Sequence, residues 1–425
     1  MTYREVVDKI ENIRRFGNLT GVEITAQMLE QLGEPQEGMN LIHIAGTNGK
    51  GSVSAFLCAM LREAGLRVGT FVSPHLVDFR ERICVDGRMI EKEAVSRIGS
   101  ELLNREFAVH PTMFDYCLVM ALLYFKEQQC DVVILETGLG GRCDSTNAVG
   151  TPAVTVITKI GYDHMAILGD TLEEIASEKA GIIKAGTHLV VESQTDAVQD
   201  VFAREAKRVG VAAYEVIEPD TFLDCRYEDG MQMFSFGTYQ ELKMHMLGVH
   251  QYENAATAIL AAEAFLKSGV VGEFTKDQVH AAVCGGVSNA RWQGRMEILR
   301  KEPFLLVDGA HNSNGVEALK RSLMALFPGE KFHFVMGVMA DKDYEKMVEE
   351  LLPLAVDFKT MTVEYERSLA SEALAECIRE KGIPAQCEQD LRACLAPENC
   401  GGDHKTIAFG SLYFIGEIEA IFRQE

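Results

Sequence analysis

Basic residues are scarce in this chain: 41 lysines and arginines face 63 aspartates and glutamates, a formal net charge of −22. A nucleic-acid partner needs a basic footprint for its phosphate backbone, so that class is disfavoured. An anionic substrate would need a locally basic cleft, for which Lys50, Arg80, Arg82, Arg142, Arg291 and Arg295 are the candidates. No C-x-x-C pair occurs among the 11 cysteines, which are scattered from Cys58 to Cys400. That spacing argues against a zinc site and for reduced thiols, mostly small core residues. No apolar run approaches the ~18–20 residues of a membrane span. Residues Met1–Lys9 lack the apolar centre of a signal peptide, so a cytoplasmic protein with no membrane partner is expected. Internal repeats and low-complexity segments are also missing.

What is present begins with length: 425 residues exceed one ordinary core, so two domains are expected. The most informative stretch is Ile42–Ser52, where a short apolar strand enters Gly46-Thr47-Asn48-Gly49-Lys50-Gly51-Ser52 and an amphipathic segment, Val53–Ala64, follows. Strand, glycine-rich turn and helix start make an anion cradle, because several N–H groups and the positive helix end point at one phosphate. Lys50 adds a cation for the outer phosphates and Ser52 the hydroxyl that a P-loop offers to Mg²⁺. Gly51, between lysine and serine, departs from the strict P-loop pattern; a plain connecting turn is the bland alternative. A bound nucleoside triphosphate is the expectation.

Strand and helix signals alternate along the chain. Leu41–Ala45, Val68–Val72, Asp131–Glu136, Thr155–Ile160 and Thr187–Val191 read as strands of a largely parallel sheet. The first forty residues read as helical, with breaks at Gly17–Gly21 and Gly33–Pro35. Phe222–Gly248 reads as a small antiparallel insertion. A second α/β series follows: Phe304–Val307, Lys331–Val338, Phe358–Val363 and Thr406–Phe409. The expected fold is therefore α/β: an N-terminal domain, residues 1–296, with a P-loop-type, mostly parallel sheet, and a smaller Rossmann-like domain, residues 297–425.

Polar clusters follow these strands, where open parallel sheets bind ligands. Glu136 ends one strand and is placed like the acidic residue that holds Mg²⁺ opposite a P-loop; Leu139–Asn147 follows it as a glycine-rich loop. Asp163-His164 offers a histidine ligand with an orienting carboxylate, although a lone histidine is more often structural. Thr171 and Glu174 form a capping box that starts a helix, and Lys179 two turns later reads, from this segment alone, as a solvated lysine. Asp308, at a strand end, suits ribose hydroxyls, while helix capping alone explains Asp341 and Asp343.

Together these segments closely resemble the folylpolyglutamate synthase and dihydrofolate synthase family, a branch of the Mur ligase superfamily. The resemblance spans nearly the whole chain: Arg15-Phe16-Gly17, Gly46–Ser52, Ser73-Pro74-His75-Leu76, Glu81-Arg82-Ile83, Leu139–Asn147, Asp163-His164 and Gly169–Lys184. It continues through His250-Gln251 with Asn254, Gly294-Arg295, Asp308–Asn312, Asp341-Lys342-Asp343 and Gly410-Ser411-Leu412.

The resemblance implies an ATP- and Mg²⁺-dependent ligase that adds L-glutamate to a reduced folate, and also to dihydropteroate if it is bifunctional. A substrate carboxylate attacks the ATP γ-phosphate, and the glutamate amine then displaces phosphate from the acyl phosphate. Lys50 would hold the β- and γ-phosphates; Ser52, Ser73, Glu136 and His164 would surround the metal. Lys179 matches a lysine that is carbamylated in many members and would then act as a metal ligand. Asn254, Arg295 and Asp308 would contact the nucleotide, His311 and Ser411 would lie near glutamate, and Arg82 and Asp144 near the folate. A monomer is implied. Ser313 and Gln293 replace common prolines, and Cys143 and Ser145 replace the usual leucine and alanine around Asp144, which bears on substrate preference. The competing readings are a Mur-type ligase of a UDP-linked peptidoglycan precursor and a switch or transport ATPase; the latter leaves a second domain unexplained.

Overall fold

The computed structural model describes residues 1–13, 19–218, 221–228, 230–400 and 402–423; Arg15-Phe16-Gly17 lies outside them. The chain divides into two compact units. The first comprises Met1–Arg226, Met233–Met244 and Glu253–Arg291; the second comprises Tyr227–Gln232, His245–Tyr252 and Trp292–Glu425.

The first unit is built on eight strands: β1 (Leu41–Ala45), β2 (Val68–Phe71), β3 (Ile83–Val85), β4 (Arg88–Met89), β5 (Val132–Glu136), β6 (Val154–Ile157), β7 (His188–Val191) and β8 (Ala213–Val216). Their order is β4-β3-β2-β5-β1-β6-β7-β8. All neighbours from β2 to β8 are parallel, and β3 and β4 add an antiparallel edge. Strands β1 and β5 are buried throughout, as a sheet covered by helices on both faces requires. The chain leaves β1 toward β2 on one side and later returns to β6 on the other. The carboxyl end of β1 is therefore the switch point at which α/β sheets open a crevice.

The helix after β1 runs Lys50–Glu63, starting three residues before the expected Val53. Its cap is Gly49, whose φ of +94° only glycine adopts without strain. Two capped helices, Tyr3–Glu11 and Gly21–Gln31, open the chain; the second starts within the expected break. The hairpin of β3 and β4 and the short edge strand β8 were not anticipated. The former turns through Asp86 (φ +52°) and Gly87 (φ +73°), a hairpin signal hidden in two very short strands.

Strands β9 (Phe222–Glu228), β10 (Met231–Phe236) and β11 (Tyr239–Met244) form a three-stranded sheet where short alternating pieces were expected. The last sheet contains β12 (Glu297–Lys301), β13 (Phe304–Asp308), β14 (Phe332–Met336), β15 (Ala355–Thr360), β16 (Ala385–Cys387) and β17 (Lys405–Phe409), ordered β12-β13-β17-β14-β15-β16. It is parallel except for β12 on β13. Among the described residues no helix is long and apolar enough to cross a membrane.

Candidate active site

Strand register puts the catalytic candidates side by side. Ile44 of β1 pairs with Glu136 of β5, and Ala45 with Ile157 of β6, so the residues following β1 and β6 and the last residue of β5 emerge together. Gly46 turns against Thr158, whose Oγ1 would lie 1.8 Å from any Cβ added there. A Cβ at Gly49 would lie 2.5 Å from Asn254 Oδ1, so Asn254 packs directly on the loop. The segment after β6 clamps this loop. Thr47 and Asn48 donate their N–H groups to the Lys159 carbonyl at 2.9 and 3.2 Å. Thr158 Oγ1 donates to the Asn48 carbonyl at 2.7 Å, and the Thr47 hydroxyl lies 3.1 Å from both N and O of Gly161.

Three charged side chains converge on the Gly46 carbonyl region. Lys50 Nζ donates to the carbonyls of Gly46 (3.1 Å) and Thr47 (3.2 Å) and lies 3.9 Å from Glu136 Oε1. Lys179 Nζ donates to Gly46 O at 2.8 Å. Lys179 is buried, which corrects the solvated-lysine reading: the capping box holds as expected, but the far end of the helix Leu172–Ala180 packs inward. Burial, reinforced by Lys50, lowers its pKa from 10.5 to about 7, giving a substantial neutral amine fraction at ordinary pH. Backbone packing fixes this end: a Cβ on Gly141 would lie 2.8 Å from the Lys179 carbonyl, and Arg142 N donates to Glu178 O at 2.8 Å.

The loop after Glu136 is folded around Asp144. This buried carboxylate accepts from the N–H groups of Gly138 (3.0 Å), Leu139 (2.8 Å) and Thr146 (3.0 Å), and from the Thr146 hydroxyl at 2.5 Å. Burial raises its pKa and these donors oppose the rise. Because Thr146 donates to Asp144, its oxygen accepts from buried His43 Nε2 at 2.8 Å, which places the proton on Nε2. Burial drives His43 down to about 3, so the ring is neutral. Arg82 forms its own cluster: Nε donates to His75 Nδ1 at 2.9 Å, and His75 Nε2 lies 3.7 Å from Glu11 Oε1. Burial and then Arg82 depress His75 to about 4.

His164 caps the short helix Met165–Leu168 at φ +51°, with its side chain about half exposed and Nε2 3.9 Å from Asp163 Oδ1. Among the described residues no three His, Cys, Asp or Glu side chains form a metal-holding group. The donors at the loop are the Ser52 hydroxyl and the Glu136 carboxylate, both on buried residues. Such hard oxygens fit Mg²⁺, which binds through one or two protein groups and completes its shell with water and phosphate.

In the second unit, Asp308 ends β13, accepts from Met296 N and Ala310 N at 2.8 Å each, and is raised in pKa by burial against the pull of Arg295. A Cβ on Gly309 would lie 2.0 Å from an Arg295 guanidinium nitrogen, and His311 Nδ1 donates to Gly309 O at 2.8 Å. Ser411, after β17, is buried and caps the helix Leu412–Phe422 by accepting from Tyr413 N at 3.1 Å. Arg295, Asp308 and His311 thus gather as a set, and Ser411 follows the strand next to β13. Asp343 precedes the helix Tyr344–Leu351 but makes no side-chain cap bond, so capping does not account for it; it pairs with Lys346 at 2.7 Å. The sequence assigned no role to His43, His75 or Thr146, although the last two lie within motifs that carry the resemblance. Only a polar residue within an apolar strand, such as His43 between Ile42 and Ile44, signalled the first of them.

Residues 44–262 match the Mur ligase middle domain, and residues 294–404 the Mur ligase, glutamate ligase domain. A dihydrofolate synthase/folylpolyglutamate synthase of Bacillus subtilis is 35% identical, covering 98% of each chain. The Mycobacterium tuberculosis folylpolyglutamate synthase complexed with ADP superposes with a TM-score of 0.87 at 28% identity, covering 100% of this chain and 98% of that one. A folylpolyglutamate synthase–AMPPCP–folate complex gives 0.83 at 29% identity, covering 99% of both.

Proposed function

This chain belongs to the folylpolyglutamate synthase and dihydrofolate synthase branch of the Mur ligase family, and from that premise we infer an ATP-dependent ligase that joins L-glutamate to folate. The Mur-type reading, with a UDP-linked peptidoglycan precursor, is not favoured: the relatives that cover the chain end to end are folate enzymes. The observation that carries the reading is the convergence of Lys50, Glu136 and Lys179 on the loop at the switch point of the sheet.

The substrate carboxylate attacks the γ-phosphorus of ATP and ADP leaves. The amine of glutamate then attacks the acyl carbon of the acyl phosphate, phosphate departs and the amine loses a proton. Negative charge builds on the phosphoryl oxygens in the first step, and on the acyl oxygen and the departing phosphate in the second. The N–H groups at the start of the helix Lys50–Glu63 and the Lys50 ammonium would stabilise that charge electrostatically. Ser52 and Glu136 would hold Mg²⁺, with Ser73 and His164 around it; the ion, when bound, neutralises charge on the phosphates. Lys179 has the burial and lowered pKa that carbamylation requires: its neutral amine adds to CO₂, a proton leaves, and a cation becomes a carboxylate-like group. Asn254, Arg295 and Asp308 are assigned to the nucleotide, His311 and Ser411 to glutamate, and Arg82 and Asp144 to the folate.

Residues 1–296 form the ATP-binding domain and 297–425 the glutamate-ligase domain in this reading, with no nucleic-acid or membrane partner, as a cytoplasmic monomer. It also includes dihydrofolate synthesis from dihydropteroate. Phosphate release that requires both glutamate and a folate tests it; release that ignores either substrate contradicts it.

A further inference from the structure

The glycine-rich loop after Glu136 is tied down from outside by a carboxyl group that the ligase chemistry leaves unused. Asp115 lies in the first turn of the helix Met113–Glu127 and is fully buried. Its Oδ1 accepts from the Ser145 hydroxyl at 2.6 Å and from the Thr25 hydroxyl at 2.9 Å. Its Oδ2 accepts from the N–H and the hydroxyl of Thr112, at 2.7 Å each. Thr112 caps Asp115's own helix and Thr25 belongs to the helix Gly21–Gln31, so of these three partners only Ser145 comes from the loop. Both helices also pack on the loop. A Cβ on Gly21 would lie 2.5 Å from Ser145 Oγ, and Val22 N donates to Cys143 O at 3.3 Å. Phe114, next to Asp115, sits against Gly138, where a Cβ would lie 2.7 Å from its ring. Within the loop Asp144 already gathers Gly138, Leu139 and Thr146, so this stretch holds to itself and shifts as one piece.

We propose that Asp115 is a positioning residue for the folate: through Ser145 it fixes where the Asp144 loop stands. The alanine usual at position 145 has no hydroxyl to donate, so this tether belongs to this chain. Deleting the hydroxyl removes one of two side-chain donors to a buried oxygen and the loop's side-chain anchor to both helices. Asp144 is assigned to the folate and Gly46–Ser52 to ATP, so a loosened Asp144 loop raises KM for the first substrate and not for the second. The inference rests on that assignment of Asp144.

The test compares the wild type, Ser145→Ala, Asp115→Asn and the double variant by ligation kinetics with tetrahydrofolate and by hydrogen exchange of the segment 137–147. Ser145→Ala is expected to raise KM for tetrahydrofolate about 3- to 10-fold, to leave KM for ATP within about 2-fold, and to speed exchange at the Gly138 and Leu139 N–H groups. The double variant should match Asp115→Asn, because the two side chains act through one bond. Ser145→Ala deletes a single hydroxyl and decides the matter alone if Asp115→Asn does not fold. Unchanged exchange in Ser145→Ala overturns the tether, and equal rises in both KM values overturn a role specific to the folate. Faster exchange with an unchanged KM for tetrahydrofolate overturns the assignment of Asp144 while the tether stands. A wild type that adds no glutamate to tetrahydrofolate overturns the ligase reading, and the positioning role with it.

Discussion

Lys179 Nζ donates a 2.8 Å hydrogen bond to the carbonyl of Gly46, 133 positions earlier in the chain, at the point where β1 turns into the Gly46–Ser52 loop. A buried lysine so placed shares a target with Lys50, and the mutual repulsion of the two ammonium groups helps depress its pKa. It is a cation in a place that favours its neutral form.

With Lys179 carbamylated as proposed, activity is expected to depend on dissolved CO₂. Ligation by protein prepared in CO₂-free buffer is expected to fall several-fold and to return on adding bicarbonate. Lys179→Ala should be inactive and unresponsive. Activity indifferent to CO₂ in the wild type would remove the carbamate.

The same shift affects stability. The folded pKa of Lys179, about 7, lies below its ordinary 10.5, so between these values the unfolded chain binds more protons. Stability should therefore rise with pH from about 7 to about 10 relative to Lys179→Met, by an amount on the order of 3–4 kcal/mol. Parallel pH profiles of urea unfolding for the two proteins would contradict the burial account.

Lys50→Ala and Glu136→Gln are each expected to lower kcat by about 10²–10³-fold or more while circular dichroism stays unchanged, because the proposed role of both is on developing phosphoryl charge. Near-normal turnover in either variant would contradict the assignment.

Thr146→Val removes the hydroxyl between Asp144 and His43 and leaves two buried polar groups without that partner. A loss of about 2–4 kcal/mol is expected by denaturant unfolding, while Thr146→Ser should retain most of it. Equal losses in both variants would indicate packing rather than the hydrogen-bond chain.

Much of this was legible in the sequence because strand and loop chemistry are local. β1 matched residue for residue, and Glu136 and Asp308 fell at strand ends as apolar runs closing on a carboxylate suggest. Lys179 was not legible from its own segment, because its burial depends on the loop at Gly141 and on Gly46, both distant in sequence. Helix amphipathicity could not report it. The short edges β4, β8 and β16 escaped for a related reason: two to four residues carry too little periodicity.

The most direct test is product mass spectrometry on purified protein with ATP, Mg²⁺ and L-glutamate, supplied with tetrahydrofolate in one reaction and dihydropteroate in another. Glutamate is expected to be added to both, with one phosphate released per residue joined. Product from tetrahydrofolate alone would remove the dihydrofolate synthase activity. ATP consumed, or AMPPCP bound, with no glutamate adduct in either reaction would contradict the central claim.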